Sequence, residues 1–352
     1  MYKDFHAVDR WTRLNEPHRR TGPDDEQPIP DANEEYLLYQ TLIGAWPLEP
    51  HPHREGGATR EGEAPSGPHP RHGPEEHAAF IRRIQDYMLK ALHEAKVHSS
   101  WINPNAEYDE AVVAFVGRIL DEGANRAFLD DFRAFQRRVA AYGLYNSLSQ
   151  TLLKLASPGV PDTYQGTELW DFSLVDPDNR RPVDYERRSR MLGELRSAID
   201  SAGGDLRELA RELIASKEDG RIKLYVTHRA LACRRDHPGL FTAGEYIPLA
   251  AEGPRAAHLF AFARRNGEAG AVVAVPRLVA RLSPDHARPP LGAEVWPNTR
   301  LPLAGLDPAP RWCNLFTGEV LTPEVRDGRP SLVAADLFAH FPVALLLAEQ
   351  GD

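Results

Sequence analysis

The sequence predicts an α/β region followed by an all-β region, with the boundary near residues 201–204. Three observations carry this. Apolar residues recur at helical spacing over about 31–46 and 78–156 and again between 185 and 237, the period of helices that bury one face. Beyond about 258 they gather instead in short runs separated by turn residues, as in small antiparallel sheets. The 30 prolines and 26 glycines fall in discrete stretches, which mark loops and boundaries rather than general disorder. With 352 residues, 42% of them hydrophobic, two folded units are expected.

In chain order, residues 31–46 read DANEEYLLYQTLIGAW, a helix that Asp31 or Asn33 can cap, with Tyr36, Leu37, Tyr39, Leu42 and Ile43 toward the core. Residues 47–77 hold almost no aliphatic side chain and many Pro, Gly, Glu and His. Too little apolar surface is available to offset the entropy of ordering, so a flexible loop is expected. Its histidines, His51, His53, His69, His72 and His77, lack a frame that would hold imidazoles tetrahedrally around a metal, and they are read as solvated.

Residues 78–156 form the most helical part. Phe80, Ile81, Ile84, Tyr87, Met88, Ala91 and Leu92 share one face, and the pattern returns in 111–120 and through Phe128, Phe132, Phe135, Val139 and Tyr142. Three or four helices are expected. The last stops at Ser157-Pro158-Gly159, where proline forbids continuation and glycine permits the turn. A short strand, Val160–Gln165, is expected next, then a polar, aromatic loop that runs into a helix after Asp184. Segments at about 205–217 and 219–237 read as helices. The apolar runs at 259–263, 271–275, 319–321, 332–333 and 343–347 read as strands of a small antiparallel domain.

The formal net charge is −9, with both signs interleaved, so no basic stripe would neutralise phosphates and nucleic acid is not an expected partner. No apolar run approaches the roughly 20 residues that span a bilayer, and the polar opening Met1–Arg20 has no signal-peptide core. A cytoplasmic protein without a membrane partner is expected. Cys233 and Cys313 form no CxxC pair and read as two buried, reduced thiols.

The most informative stretch is SPGVPDTYQGTELWDFSLVDPDNRRPVDY from Ser157. It sets Tyr164, Gln165, Glu168, Trp170, Asp176, Asn179 and Arg180 close together in sequence. Aromatic faces cover sugar rings, while carboxylates, amides and guanidinium forks take hydroxyls in fixed directions. Composition alone suggests a carbohydrate site. The alternative is an ion-pair lattice of Asp178, Arg180, Arg181 and their neighbours bracing a loop. Trp101 and Asn103 lie in a proline-bounded loop where an aromatic and an amide could meet a glucose ring. Tyr145, Asn146 and Gln150 read first as helix packing, with Asn146 as the exception that reaches substrate.

The strings PGVP at Pro158 and YQGTE at Tyr164, followed by DPDNRRPVDY, resemble the eighth barrel strand of the α-amylase superfamily. The longer stretch 141–188 resembles maltooligosyltrehalose synthases in particular. WTRLNEPHRR at Trp11, NEEYLLYQTLIGAWP at Asn33 and HSSWINPNAEYDEAV at His98 resemble that family in the same order, as does RALACRRDHPGLFTAGEYIPL at Arg229 more loosely. The resemblance implies that residues 1–200 are the carboxy-terminal part of a (β/α)8 barrel with a helical insertion, and that 205–352 are a carboxy-terminal domain, helical at first and then antiparallel β.

It also implies an activity: the reducing-end α-1,4 linkage of a malto-oligosaccharide is moved to α,α-1,1 by intramolecular transglucosylation, with no cofactor. A retaining mechanism of this kind uses two carboxylates about 5 Å apart. In the family the catalytic carboxylates lie upstream of the segment matching Trp11, so no catalytic residue is expected here. Arg235-Asp236-His237 superficially resembles the nucleophile motif but reads as a helix end, and Glu168 and Asp171 read as binding or scaffold groups. The implied partners are an α-1,4-glucan and an amino-terminal half of the same enzyme. A non-catalytic glucan-binding protein and a subunit of a split enzyme are the other readings.

Overall fold

The structure is a computed structural model that describes residues 2–21, 27–48, 73–306, 311–326 and 328–349. Its contacts divide it into two compact units, one made of 1–140 with 172–182, the other of 141–171 with 183–352.

The first unit is helical. Its elements are α1 (Tyr2–Asn15), the short antiparallel pair β1 (Arg20–Thr21) and β2 (Pro28–Ile29), α2 (Ala32–Ala45), α3 (Pro74–Ala95), α4 (Ala106–Ile119) and the first half of α5 (Arg126–Ala156). Asp31 is the residue that caps α2: its carboxylate accepts from the Glu34 N–H at 2.8 Å while Glu34 Oε2 accepts from the Asp31 N–H at 3.1 Å, a reciprocal capping box. The buried side of α2 is rotated from the expected one. Tyr36 is exposed, and Glu34 and Glu35 are buried beside Leu38, Tyr39 and Leu42. The two acids are partnered: Tyr108 donates to Glu34, and Tyr39 and Arg19 donate to Glu35, which offsets part of the penalty of burying them, although burial still holds both carboxyls above the usual carboxylate range.

Along α3 the buried residues are Phe80, Ile84, Met88 and Leu92, a strict four-residue row on the face the sequence indicates. Trp11, Tyr39, Trp46, Phe128 and Phe132 complete an aromatic core. The two expected helical stretches after residue 126 form one continuous helix of 31 residues. The expected loop 47–77 lies outside the described residues from 49 to 72, and so do His51, His53, His69 and His72. His77 falls in α3, with Nε2 2.8 Å from the Leu120 carbonyl oxygen.

The second unit joins helices to a β-domain. Asp184 caps α6 (Tyr185–Ser201), followed by α7 (Arg207–Ala215) and α8 (Arg221–Asp236). Strands β3 (Glu245–Leu249), β4 (Leu259–Asn266), β5 (Ala269–Pro276), β6 (Arg300–Pro302), β7 (Arg311–Asn314), β8 (Val320–Leu321), β9 (Glu324–Arg326), β10 (Arg329–Val333) and β11 (Ala344–Glu349) form two antiparallel sheets. One has the order β3-β4-β5-β11-β7-β8 and the other β6-β10-β9. β4, β5 and β11 supply continuous apolar runs because the larger sheet is covered on both faces. Four strands, β3, β6, β7 and β9, are not indicated by apolar runs. β3 contains Pro248 and lies at the sheet edge, where a missing N–H is tolerated.

The segment 201–204, which the sequence marks as a boundary, packs closely. Leu206 N–H donates to the Thr317 carbonyl at 2.9 Å, and a Cβ at Gly318 would fall 1.8 Å from the Gly204 oxygen. Gly318 also has φ +74°, so glycine is required there on two counts. The contact-based division falls instead within α5 and on either side of 172–182.

Two expectations need correction, the strand at 160–165 and the burial of Cys313. Residues 160–165 form no strand: they are extended or turning without ladder partners, and Val160 is 97% exposed. A barrel strand exists only through hydrogen bonds to neighbours on both edges, and among the described residues none lies beside it. No closed barrel is present among the described residues; the fold consists of helices and antiparallel sheets. Cys233 is buried as expected, whereas Cys313 is only half-buried. No described helix is long and apolar enough to cross a membrane.

Candidate carbohydrate-binding residues

The expected binding residues fall into two groups, one in each unit. In the first unit, the loop Phe172–Pro182 is tied down by α3. Arg83 donates to both oxygens of Asp178, at 2.9 and 2.8 Å, and to the Phe172 carbonyl at 3.0 Å, while Lys90 donates to the Asp176 carbonyl. Asp178 also accepts from the Leu174 N–H at 2.7 Å. Burial works to raise this carboxyl, but the Arg83 fork and the Leu174 N–H outweigh it and hold it below the usual carboxylate range. Asp178 is therefore the brace of the loop, as the ion-pair alternative has it. Asp176 and Arg180 pair with each other on the outer side, and Asn179 keeps its Oδ1 buried without a hydrogen-bond partner.

A folded-state pKa below the unfolded one, about 3.9 for Asp, stabilises above the unfolded pKa, and that contribution is lost as pH falls through the folded value. Asp178→Asn is thus expected to be less stable than the parent at pH 7, with the gap shrinking at pH 3. Urea unfolding at both pH values checks this, and an equal gap at both would contradict it.

The other part of the first group is the turn between α3 and α4. Ser100 Oγ accepts from the Asn103 N–H at 3.0 Å, Asn103 O accepts from the Ser100 N–H at 3.2 Å, and Ser99 Oγ accepts from the Asn105 N–H at 2.9 Å. Asn105 then caps α4 by accepting from the Tyr108 N–H. The backbone of Asn103 is consumed by the turn and its side chain is exposed. Trp101 stands at the tip, 64% exposed.

In the second unit, Asn146 is exposed on α5, as is Gln150, while Tyr145 is buried. Packing therefore accounts for Tyr145 and not for Gln150. The turn 164–168 is closed by Thr167, whose N–H and hydroxyl both donate to the Tyr164 carbonyl, at 3.1 and 2.6 Å. That turn leaves the Tyr164 and Gln165 side chains exposed. Glu168 pairs with Arg188 at 3.1 Å, and Arg188 also donates to the Gly166 carbonyl at 2.7 Å. Trp170 is half-buried, with its indole N–H on the Lys217 carbonyl at 2.7 Å and the Lys223 ammonium 5.6 Å from its ring centre.

Lys223 donates to the Leu169 carbonyl at 3.0 Å. Burial, and then the charge of Lys154, push its ammonium down to about 8 against the opposing pull of Asp171 and Glu168. Arg83, Lys90, Arg188 and Lys223 are the supporting residues that sequence reading missed. Each is a helix-borne cation like many others, and only the fold reveals which loop carbonyl or carboxylate it reaches.

Among the described residues, one cluster has the composition of a metal site: Asp31, Glu34 and His98. Asp31 Oδ1 and Glu34 Oε2 are engaged in the capping box, Glu34 Oε2 also accepts from Tyr108, and His98 Nε2 lies 3.0 Å from Asp31 Oδ2. The arrangement latches the start of α2, whose positive helix end disfavours a cation. Arg235 and Asp236 pair with each other at the exposed end of α8, and His237 is its C-cap.

No protein-family model matches the chain. A Mycobacterium tuberculosis protein assigned as maltooligosyl trehalose synthase is 32% identical over 322 residues, 92% of this chain and 32% of that protein. The solved maltooligosyltrehalose synthase of Arthrobacter ramosus superposes with a TM-score of 0.66 at 30% identity, covering 97% of this chain and 35% of that one. Another structure described as maltooligosyl trehalose synthase gives 0.60 at 25% identity, over 98% and 35%. The chain resembles one part of a maltooligosyltrehalose synthase. It spans about a third of the length of these synthases, consistent with the carboxy-terminal portion that the sequence strings indicate. The synthase-like match runs through both units, since it covers nearly the whole chain.

Proposed function

We propose that this chain is the non-catalytic, substrate-contacting portion of a maltooligosyltrehalose synthase. In this reading residues 1–200 complete a (β/α)8 barrel of the α-amylase type, 205–352 form the appended carboxy-terminal domain, and an amino-terminal partner supplies the catalytic carboxylates. The observation that carries it is the length of the match: near-complete coverage of this chain against about a third of each relative.

The substrate is a malto-oligosaccharide whose reducing-end glucose is released, turned and rejoined through its anomeric hydroxyl. Trp101, Tyr164 and Trp170 would offer aromatic faces to glucose rings. Asn103, Asn146, Gln165, Asn179, Glu168 and the Asp176–Arg180 pair would take hydroxyls, since charged and amide groups provide directional bonds that rank one sugar orientation over another. Exposed Val160 and the backbone of 160–163, which has no ladder partner, fit a segment that pairs as a barrel strand only when its neighbours are supplied.

The expected result is binding of maltohexaose to the isolated chain with affinity in the millimolar range typical of a few exposed sugar contacts, about −4 kcal/mol, weakened by Trp101→Ala and by Tyr164→Ala. Isothermal titration with maltohexaose, and with cellohexaose as control, checks it. Equal binding of both sugars, or none, would remove the chain's role in substrate contact.

A further inference from the structure

Trp101 is held by more than its turn. Its ring meets that of His93 edge to face, with centres 4.5 Å apart and planes at 84°. His93 sits in the last turns of α3 and is itself fixed by Asp109 in the first turn of α4, its Nε2 2.7 Å from Asp109 Oδ2. Both partners are largely withdrawn from water, with side chains 12% and 15% exposed. The other heteroatom of each, His93 Nδ1 and Asp109 Oδ1, is buried without a hydrogen-bond partner. An unpaired buried polar atom is destabilising, so two polar side chains kept here are not explained by stability alone.

We infer that His93, held by Asp109, is a positioning residue that sets the orientation of the Trp101 ring as a platform for a glucose unit. The inference rests on the glucan-contact reading and deepens it. A sugar stacks on an indole only if the face is presented without further ordering, and each side chain that must be immobilised on binding weakens the complex by roughly 2- to 10-fold. The Ser99–Asn105 turn fixes the backbone of the platform; the His93–Asp109 pair fixes the ring. Among the six tryptophans, Trp101 is the exposed one, with Trp11, Trp46, Trp296 and Trp312 buried and Trp170 half-buried, so its fluorescence can be read separately.

The experiment uses the full chain and compares acrylamide quenching and maltohexaose affinity in the parent, His93→Ala, Asp109→Ala, Asp109→Asn and Trp101→Phe. The Trp101 contribution is the quenching difference from Trp101→Phe. In His93→Ala and Asp109→Ala that contribution is expected to change in rate and anisotropy as the ring gains freedom, with affinity falling roughly 2- to 10-fold. Asp109→Asn keeps an acceptor oxygen for the imidazole and is expected to behave as the parent.

Unchanged Trp101 anisotropy in both alanine variants would overturn the positioning role, as would unchanged affinity in variants whose ring has been freed. If the parent itself binds no maltohexaose, the glucan-contact reading fails and the platform role falls with it; the anisotropy data then decide separately whether His93 orders the ring. Should His93→Ala fail to fold, the contrast between Asp109→Ala and Asp109→Asn carries the test.

Discussion

Replacing Trp11 with alanine is expected to lower the stability of the first unit by about 3–5 kcal/mol, the range for deleting a buried aromatic side chain. Trp11 is 1% exposed and meets Tyr39, Phe128, Phe132 and Phe135 at ring-centre distances of 5.2–6.2 Å. Its indole N–H also donates to Asp131 at 2.7 Å, so the alanine variant leaves both a cavity and a carboxylate short of a donor. Trp11→Phe separates the two effects. It keeps most of the packing and loses the hydrogen bond, for a smaller expected loss of about 1–2 kcal/mol. Urea denaturation followed by far-ultraviolet dichroism measures both. A loss below 1 kcal/mol for Trp11→Ala would mean that the ring cluster is not the centre of this unit's core.

The second large effect is expected at Arg264. This residue lies in β4 with only 1% of its surface exposed. Its guanidinium donates to the carbonyls of Gly244 at 2.8 Å and Phe241 at 3.0 Å, with longer bonds of 3.3 Å to Glu245 and Ala156. No carboxylate is among these acceptors: main-chain carbonyls solvate the cation. Arg264→Leu strands those carbonyls, each worth about 1–3 kcal/mol when left unpaired in the interior, and the expected loss is about 3–5 kcal/mol, as when one partner of a buried polar pair is removed. Arg264→Lys should recover little, because an ammonium cannot span carbonyls placed for a planar fork. Thermal unfolding of the two variants checks this, and a lysine variant as stable as the parent would contradict the assigned geometry.

Much of the helical architecture was legible in the sequence because its signals are local. The Asp31 cap, the Phe80–Leu92 row, the stop at Ser157-Pro158-Gly159 and the Asp184 cap each depend on residues within a turn or two of one another. The five apolar runs located β4, β5, β8, β10 and β11 for the same reason.

What was not legible depends on distant partners. β7, read as RWCN, has no apolar run and becomes a strand through pairing with β11. Glu34 and Glu35 look like a solvated face until Tyr108, Tyr39 and Arg19 are placed around them. Arg264 reads as surface charge until the carbonyls it serves are folded over it. The reverse holds for Val160–Gln165, whose sequence matches a barrel strand and whose expected neighbours are not among the described residues.

For the candidate site, composition identified the sugar-suited residue types but not their division of labour. Asp178 turned out to brace the loop, whereas Asp176, four residues before Arg180, pairs with that arginine and keeps its side chain 47% exposed. The substrate class proposed for them comes from resemblance, and only the fold supplied Arg83, Lys90, Arg188 and Lys223 as supports.

The most direct test incubates the purified chain alone with maltohexaose and follows the loss of reducing ends together with glucose release. No change in either, alongside maltohexaose binding, is the predicted result for a substrate-contacting portion that lacks the catalytic carboxylates. Loss of reducing ends without glucose would contradict the account: it would mean that a complete transglucosylating site lies within these 352 residues, and Glu168, Asp171 and Asp176 would then be the carboxylates to replace first.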